Sequence, residues 1–246
     1  MTSHTSQPSH TSQSSHHNPK PPAARARALT KTYGTGPTAV DALAGVDLDV
    51  AAGRFTAIMG PSGSGKSTLM HCLAGLDTPS SGSVTVAGVE LSSLGDTGLT
   101  RFRRDHIGFV FQSFNLLPML TARQNIALPA ELAGRRTDSD WFGTVVDVLG
   151  IGDRLEHRPS ELSGGQQQRV AVARGLVARP TILFADEPTG NLDSHSSAEV
   201  LGFLRRSVRD LGQTVVMVTH DADAAAYADH TVVIEDGRVA TERQVA

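Results

Sequence analysis

Beyond a polar start, apolar residues come in short blocks broken by glycine and polar turns. Blocks at 26–33 and 45–50 read as strands, and 55–59, with no charge, reads as a buried strand. A glycine-rich turn follows, and 67–75 has the composition of a helix. Residues 83–86 and 107–111 predict further strands. The stretch 138–149 predicts a helix closed by Gly150 and Gly152, and 166–178 another. Then come a strand at 182–185, a helix at 196–211, a strand at 214–219 and a hairpin at 231–239. Strands alternating with helices predict an α/β fold, a mainly parallel sheet covered by helices. Residues 88–165 are less regular and more helical, and read as an inserted lobe. Residues 1–24 hold almost nothing large to bury and are expected to be a disordered polar tail. That leaves 25–246 as a single domain, with no internal repeat.

Charge and composition narrow the class. The 246 residues carry 22 Lys plus Arg against 25 Asp plus Glu, a net charge of -3, which gives no support to a nucleic-acid partner. One cysteine, Cys72, cannot build an intrachain disulfide framework; a reducing compartment and a packing role are the simpler reading. No run approaches the roughly 18 consecutive apolar residues of a membrane span, and no apolar stretch precedes Lys20 as a secretory leader would need. Direct membrane insertion is therefore not expected. His4, His10, His16 and His17 lack the regular spacing and cysteine partners of a structural metal site.

The chemistry is concentrated in two places. Gly60-Pro61-Ser62-Gly63-Ser64-Gly65-Lys66-Ser67-Thr68 meets the P-loop pattern in full, between a predicted strand and a predicted helix. Gly60, Gly63 and Gly65 let the backbone turn tightly and present N–H groups to phosphate; Ser62 and Ser64 share that loop. The helix start adds its positive end. Lys66 is placed to reach the β and γ phosphates, Ser67 to ligate Mg²⁺, and Thr68 to add a hydroxyl to the cradle. The second place is Ile182-Leu183-Phe184-Ala185-Asp186-Glu187, where an uncharged strand ends abruptly in two carboxylates. Asp186 suits Mg²⁺ and Glu187 suits orientation or deprotonation of an attacking water.

A third motif, Leu162-Ser163-Gly164-Gly165-Gln166, opens the helix ahead of Asp186, with Ser163 as its N-cap. With it the chain resembles the nucleotide-binding subunit of an ATP-binding cassette (ABC) transporter, over residues 25–240. The resemblance implies the ABC cassette version of the P-loop NTPase fold: a mixed sheet core, a β-rich N-terminal part and an inserted helical lobe. It implies ATP and Mg²⁺ as ligands, and a second cassette, identical since both half-sites occur in one chain. Ser163, Gly164, Gly165 and Gln166 of one subunit would cap the ATP held by the P loop of the other. By the same resemblance Gln112 would contact Mg²⁺ or water, His220 would hold Glu187 and meet the γ phosphate, Tyr33 would stack on adenine, and Asp193 would cross the dimer interface.

Finer similarities point to one subgroup. Glu161 through Arg169, Glu187-Pro188-Thr189-Gly190-Asn191-Leu192-Asp193 and Phe114 through Pro118 look like the cassettes of lipoprotein release, macrolide export and cell division. The subgroup implies an integral-membrane permease of the MacB/FtsX-like type with a large extracytoplasmic domain. The cassette would sit peripherally on the cytoplasmic face of the cell (inner or plasma) membrane. The permease contact is expected over residues 112–125, toward Pro129, with Leu116, Leu117, Met119 and Leu120 as its apolar part; Trp141 and Phe142 are expected to pack the lobe. A P-loop kinase or GTPase would leave Ser163–Gln166 and His220 unexplained. Chromosome-organising cassettes place far more residues between Lys66 and Ser163, and translation-factor cassettes come in pairs. The remaining alternative is a soluble cassette that regulates a non-transport partner.

Overall fold

The computed structural model describes residues 21–244. The expectation of disorder for residues 1–20 lies outside the described residues. Ala23 and Ala24 are buried, and Ala24 already begins the first strand. Two sheets form the frame. The first is antiparallel, in the order β2 (Val40–Val50), β1 (Ala24–Tyr33), β4 (Ser81–Val86), β5 (Val89–Glu90). The second runs β10 (Arg238–Gln244), β9 (His230–Glu235), β3 (Phe55–Met59), β8 (Thr214–Val218), β7 (Ile182–Asp186), β6 (Ile107–Phe111). Its strands are parallel except β10, which pairs antiparallel with β9. The separate antiparallel sheet is the β-rich N-terminal part. Strand β2 starts at Val40 rather than 45: its first residues pair with β1 (Tyr33 opposite Val40), but Val40 and Asp41 are exposed and only Leu43 is buried before Val46, too little to mark a strand in the sequence.

Period-two alternation in the parallel strands feeds two core layers. Phe55, Ala57, Leu183, Ala185, Val215 and Met217 face one layer. Ile58, Ile182, Phe184, Val216 and Val218 face the other. Helix α1 (Lys66–Leu73) belongs to the second layer, between the two sheets, with Leu69, Met70, Cys72 and Leu73 buried. Cys72 is packing: burial pushes its thiol up to about 11, far from the reactive thiolate range.

The remaining helices are α2 (Asp96–His106), α3 (Ala122–Leu132), α4 (Ser139–Leu149), α5 (Gly164–Leu176), α6 (Ser194–Leu211) and the short α7 (Ala222–Ala225). Helix α2 escapes periodicity because it buries only Phe102. Helix α3 carries Pro129 inside it, yet starts at a full capping box between Thr121 and Gln124. Trp141 and Phe142 pack against the first core layer as expected, and the indole N–H of Trp141 donates to the Leu176 carbonyl at 3.2 Å. Helix α5 runs tight against β6: a Cβ on Gly108 would lie 2.4 Å from the Gly175 carbonyl oxygen. That close approach brings the helix carrying Ser163 against the strand that delivers Gln112.

Candidate active site

Strands β3, β8 and β7 are parallel neighbours, so their C-terminal ends share one edge. The loop 60–65 leaves that edge after β3, Asp186 and Glu187 end β7, and His220 follows β8. The loop takes its shape from glycine. Gly60, Gly63 and Gly65 have φ of 147°, 78° and 102°. Gly60 lies against the β9 backbone, where a Cβ would meet the Ile234 carbonyl oxygen at 2.1 Å, and Gly65 against β2, where it would meet the Ala42 oxygen at 2.3 Å. Gly237 N–H donates to the Ser64 carbonyl at 3.0 Å. Both sheets thus brace the loop from behind.

The front of the loop fits an anion. Gly65 caps α1 without a side-chain acceptor, so the amides of the first turn are not satisfied by a cap. Ser64 Oγ is buried and has no hydrogen-bond partner among the described residues. Lys66, itself buried, folds over the loop and donates to the carbonyls of Gly60 (2.9 Å) and Pro61 (2.7 Å). Ser62 and Gly63 form the exposed tip, and Ser67 is exposed at the helix start.

Asp186 ends β7 beside this helix start, with the Ser67 hydroxyl and Lys66 among the groups that favour its charged form. Burial pushes its carboxyl above the usual range, and the neighbouring Glu187 adds to that; His71, Ser67 and Lys66 oppose it. A partly desolvated carboxylate beside a hydroxyl suits a hard divalent cation whose other ligands are phosphate and water. Among the described residues no group of three or more His, Cys, Asp or Glu could hold a metal alone. The Asp186 and Ser67 pair fits Mg²⁺ that arrives with a nucleotide, whose phosphates would complete its ligands.

Glu187 has a left-handed backbone, φ 43°, held by its N–H on the Val218 carbonyl (3.0 Å) and its own carbonyl on Gly190 N–H (3.0 Å). For a glutamate that conformation is strained. It turns the side chain toward His220, whose Nδ1 lies 3.0 Å from Glu187 Oε1. Beside this pair a cleft of about 440 Å³ is lined by Thr189, Leu192, Ser197, Thr219 and Tyr227.

Gln112 follows Phe111, which pairs with Asp186 across β6 and β7, and its side chain is bonded to Asn191. Its Nε2 donates to Asn191 Oδ1 (3.3 Å), and Asn191 Nδ2 donates to the Gln112 carbonyl (3.1 Å). Gly190 is what lets it lie there, since a Cβ would meet Gln112 Nε2 at 2.6 Å. Asn191, which the sequence offered only as part of the subgroup motif, is thus the partner of Gln112.

The signature forms a unit with the Asp193 turn. Ser163 Oγ accepts from Gln166 N–H (3.3 Å), and Gln166 Oε1 accepts from Ser163 N–H (2.9 Å), a reciprocal capping box. Gly164 lies against Leu192 and Phe114, and Gly165 against Ser196. Asp193 caps α6, accepting from the N–H groups of His195 and Ser196 at 3.0 Å each and from the Ser196 hydroxyl at 2.8 Å. The backbone amide and hydroxyl of Ser196 hold its carboxyl below the usual range. These contacts tie Ser163–Gln166 to the Asp193 turn rather than to Lys66.

Tyr33 ends β1 with 43% of its surface exposed. Its hydroxyl donates to Asp77 at 2.5 Å, and Lys31 Nζ sits 4.9 Å from the ring centroid while pairing with the same carboxylate. Asp77 raises the Tyr33 phenol most, with burial adding. Burial alone would raise Asp77, but Lys31 and Tyr33 overcome it and hold the carboxyl low. Lys31 and Asp77 lacked any motif in the sequence; only the fold brings them to the ring.

A sequence profile of the ABC transporter family matches residues 43–190. The chain belongs to this family. It is 49% identical over 216 residues to the lipoprotein-releasing system ATP-binding protein LolD of Geobacter metallireducens, covering 87% of this chain and 96% of that protein. It is 48% identical over 229 residues to the macrolide export ATP-binding/permease protein MacB of Nitrosomonas europaea, covering 90% of this chain. The chain spans only about a third of the MacB relatives, 34% of that one. Among solved structures, the ATP-binding cassette MJ0796, a dimer in a post-hydrolysis state bound to ADP and Pi, superposes with a TM-score of 0.80 at 39% identity. That match covers 91% of this chain and 99% of the other. The fold is thus the ABC cassette, and the chain is an ABC transporter ATP-binding domain similar to LolD and to part of MacB.

Proposed function

We propose that this chain hydrolyses ATP, in a head-to-tail pair with a second copy of itself, to drive a membrane permease with a large extracytoplasmic domain. The observation that carries the hydrolytic reading is Glu187 Oε1 lying 3.0 Å from His220 Nδ1, on the sheet edge that also carries the P loop. Glu187 accepts a proton from water as the water oxygen bonds to the γ phosphorus; the bond to the bridging oxygen breaks and ADP leaves. His220 fixes the carboxylate through Nδ1 and keeps Nε2 for a γ-phosphate oxygen. Lys66 and the first amides of α1 stabilise charge on the phosphates. Asp186 and Ser67 would hold Mg²⁺, with Gln112 turned from Asn191 toward it or the water, and the cation would neutralise charge on the phosphates when bound. Tyr33 stacks on the adenine.

Pairing is supported by the site's layout. Ser163 and Gly164–Gln166 are bound up with the Asp193 turn, so a second chain is the natural source of the cap over Lys66, and the similar cassette MJ0796 is a dimer. A partner membrane protein is supported by a groove of about 430 Å³ lined by Phe109, Phe111, Leu128, Pro129, Leu132 and Arg174. Leu117, Met119 and Leu132 near it are exposed. Buried Asn125 braces the intervening loop, accepting from Leu117 N–H at 2.8 Å and donating to the Leu117, Leu120 and Thr121 carbonyls. Among the described residues no helix is long and apolar enough to cross a membrane. In this reading the chain docks peripherally on the cytoplasmic face, through its permease. The test is phosphate release with Mg²⁺–ATP by the wild type and Glu187→Gln, alone and with co-purified membrane partner. Turnover lost in the variant while ATP binding persists is the expected result; equal turnover in both overturns the role of Glu187.

A further inference from the structure

Gln168 lies in α5 two residues past the signature and is fully buried. Its Nε2 donates to the Pro188 carbonyl at 2.6 Å and to the Phe111 carbonyl at 3.4 Å. Its Oε1 has no hydrogen-bond partner among the described residues. Burying an amide with half its polar capacity unmet is unfavourable, and an apolar side chain of equal length would fill the space without that orphan oxygen. What an apolar residue cannot do is donate. Both acceptors are chosen by position: Phe111 immediately precedes Gln112, and Pro188 immediately follows Glu187. There the two strands stop sharing a ladder. Phe111 opposes Asp186 as the last pair of β6 with β7, and the chain then turns away at Glu187 with φ 43°. One amide from α5 bridges the two departing backbones.

We propose that Gln168 is a positioning residue for hydrolysis, the strut through which the signature helix sets the backbone of Gln112 and Glu187. The inference rests on the hydrolytic reading above. A shift of α5 when its Ser163 end meets a nucleotide is passed through a short, fully buried side chain to the carbonyl next to Glu187, so the carboxylate is aligned only when the helix is. Gln168 touches neither phosphate nor water, and its loss acts on turnover instead of binding.

The test compares Gln168→Met, which keeps length and volume but removes both donated bonds, with Gln168→Glu, in the full chain with its membrane partner. For Gln168→Met the expected result is kcat at least about tenfold lower, with the ATP Kd within about twofold of wild type and the melting temperature within a few degrees. Gln168→Glu adds a readout that packing does not move. Its introduced carboxyl faces two carbonyls and can donate only when protonated, so its kcat relative to wild type at the same pH should rise as pH falls. A Gln168→Met kcat within about twofold of wild type overturns the proposal, as does a loss of kcat, affinity and melting temperature together. If Gln168→Met does not fold, a flat pH ratio for Gln168→Glu overturns it. Absent turnover in the wild type overturns the hydrolytic reading as well, and so is distinguishable from failure at Gln168 alone.

Discussion

Three glycines of one loop all have positive φ, yet their surroundings make alanine act differently at each. At Gly63, φ 78°, a Cβ would meet nothing within 4 Å. The substitution carries only the left-handed penalty, roughly 1–2 kcal/mol, offset by about 0.4–1 kcal/mol from restricting the unfolded chain. The net is about 1 kcal/mol, a fall in melting temperature of roughly 2–4 °C for a domain of this size. At Gly65 the same penalty meets a Cβ 2.3 Å from the Ala42 carbonyl, and at Gly60 one 2.1 Å from the Ile234 carbonyl. Both obstacles are backbone, so relief requires moving β2 or β9, and overpacking adds about 1–3 kcal/mol. Gly60→Ala and Gly65→Ala should each cost about 3 kcal/mol or more, roughly three times the fall at Gly63. Function should sort in the opposite sense. Gly63→Ala leaves the fold nearly intact but puts a methyl into the exposed tip that phosphate must approach, so its ATP Kd should rise at least about tenfold, roughly 1.4 kcal/mol. Differential scanning fluorimetry with equilibrium binding of a fluorescent ATP analogue reads both quantities. Gly63→Ala binding ATP like wild type would show that the open face of the loop is not the phosphate seat; melting as low as Gly65→Ala would refute the steric argument.

Asp186→Asn should stabilise the nucleotide-free chain while abolishing Mg²⁺-dependent turnover. The folded carboxyl is raised, chiefly by burial, so its charge opposes folding above the unfolded carboxylate range, and the melting-temperature gain should appear at neutral pH and vanish at acid pH. No gain at neutral pH would count against that burial cost. Asp77→Asn should weaken ATP binding several-fold with kcat unchanged, because it loosens the Lys31 and Tyr33 contacts behind the ring proposed to stack on adenine. Asp77 is held low in the fold, so its stabilisation is present above the unfolded pKa and is lost as pH falls through the folded one; equal acid sensitivity of wild type and variant would contradict this.

The central strands were legible because they are buried on both faces, as in β3, β7 and β8. Residues 55–59 and 107–111 carry no charge, and their predicted bounds match β3 and β6, although β6 lies at the sheet edge and is only partly buried. The P loop and the 182–187 strand end declared their chemistry through spacing alone. Helix α2 was not legible because a helix lying on the surface with one buried residue has no apolar stripe to read. The first residues of β2 were hidden for the same reason. The roles of Lys31, Asp77, Asn191 and Gln168 were missed on different grounds: each residue acts through a partner distant in sequence, and only the fold supplies the partner. Gln168 even sits inside a motif already recognised, where its neighbours at 163–166 drew the functional reading.

If two chains complete each other's nucleotide site, their association must depend on nucleotide and on Ser163. Sedimentation of Glu187→Gln with and without Mg²⁺–ATP, repeated with Ser163→Arg added, reads this dependence. Glu187→Gln should be a dimer only with ATP, and a monomer under both conditions once Ser163 is blocked. A dimer that forms without ATP, or one that survives Ser163→Arg unchanged, would contradict it.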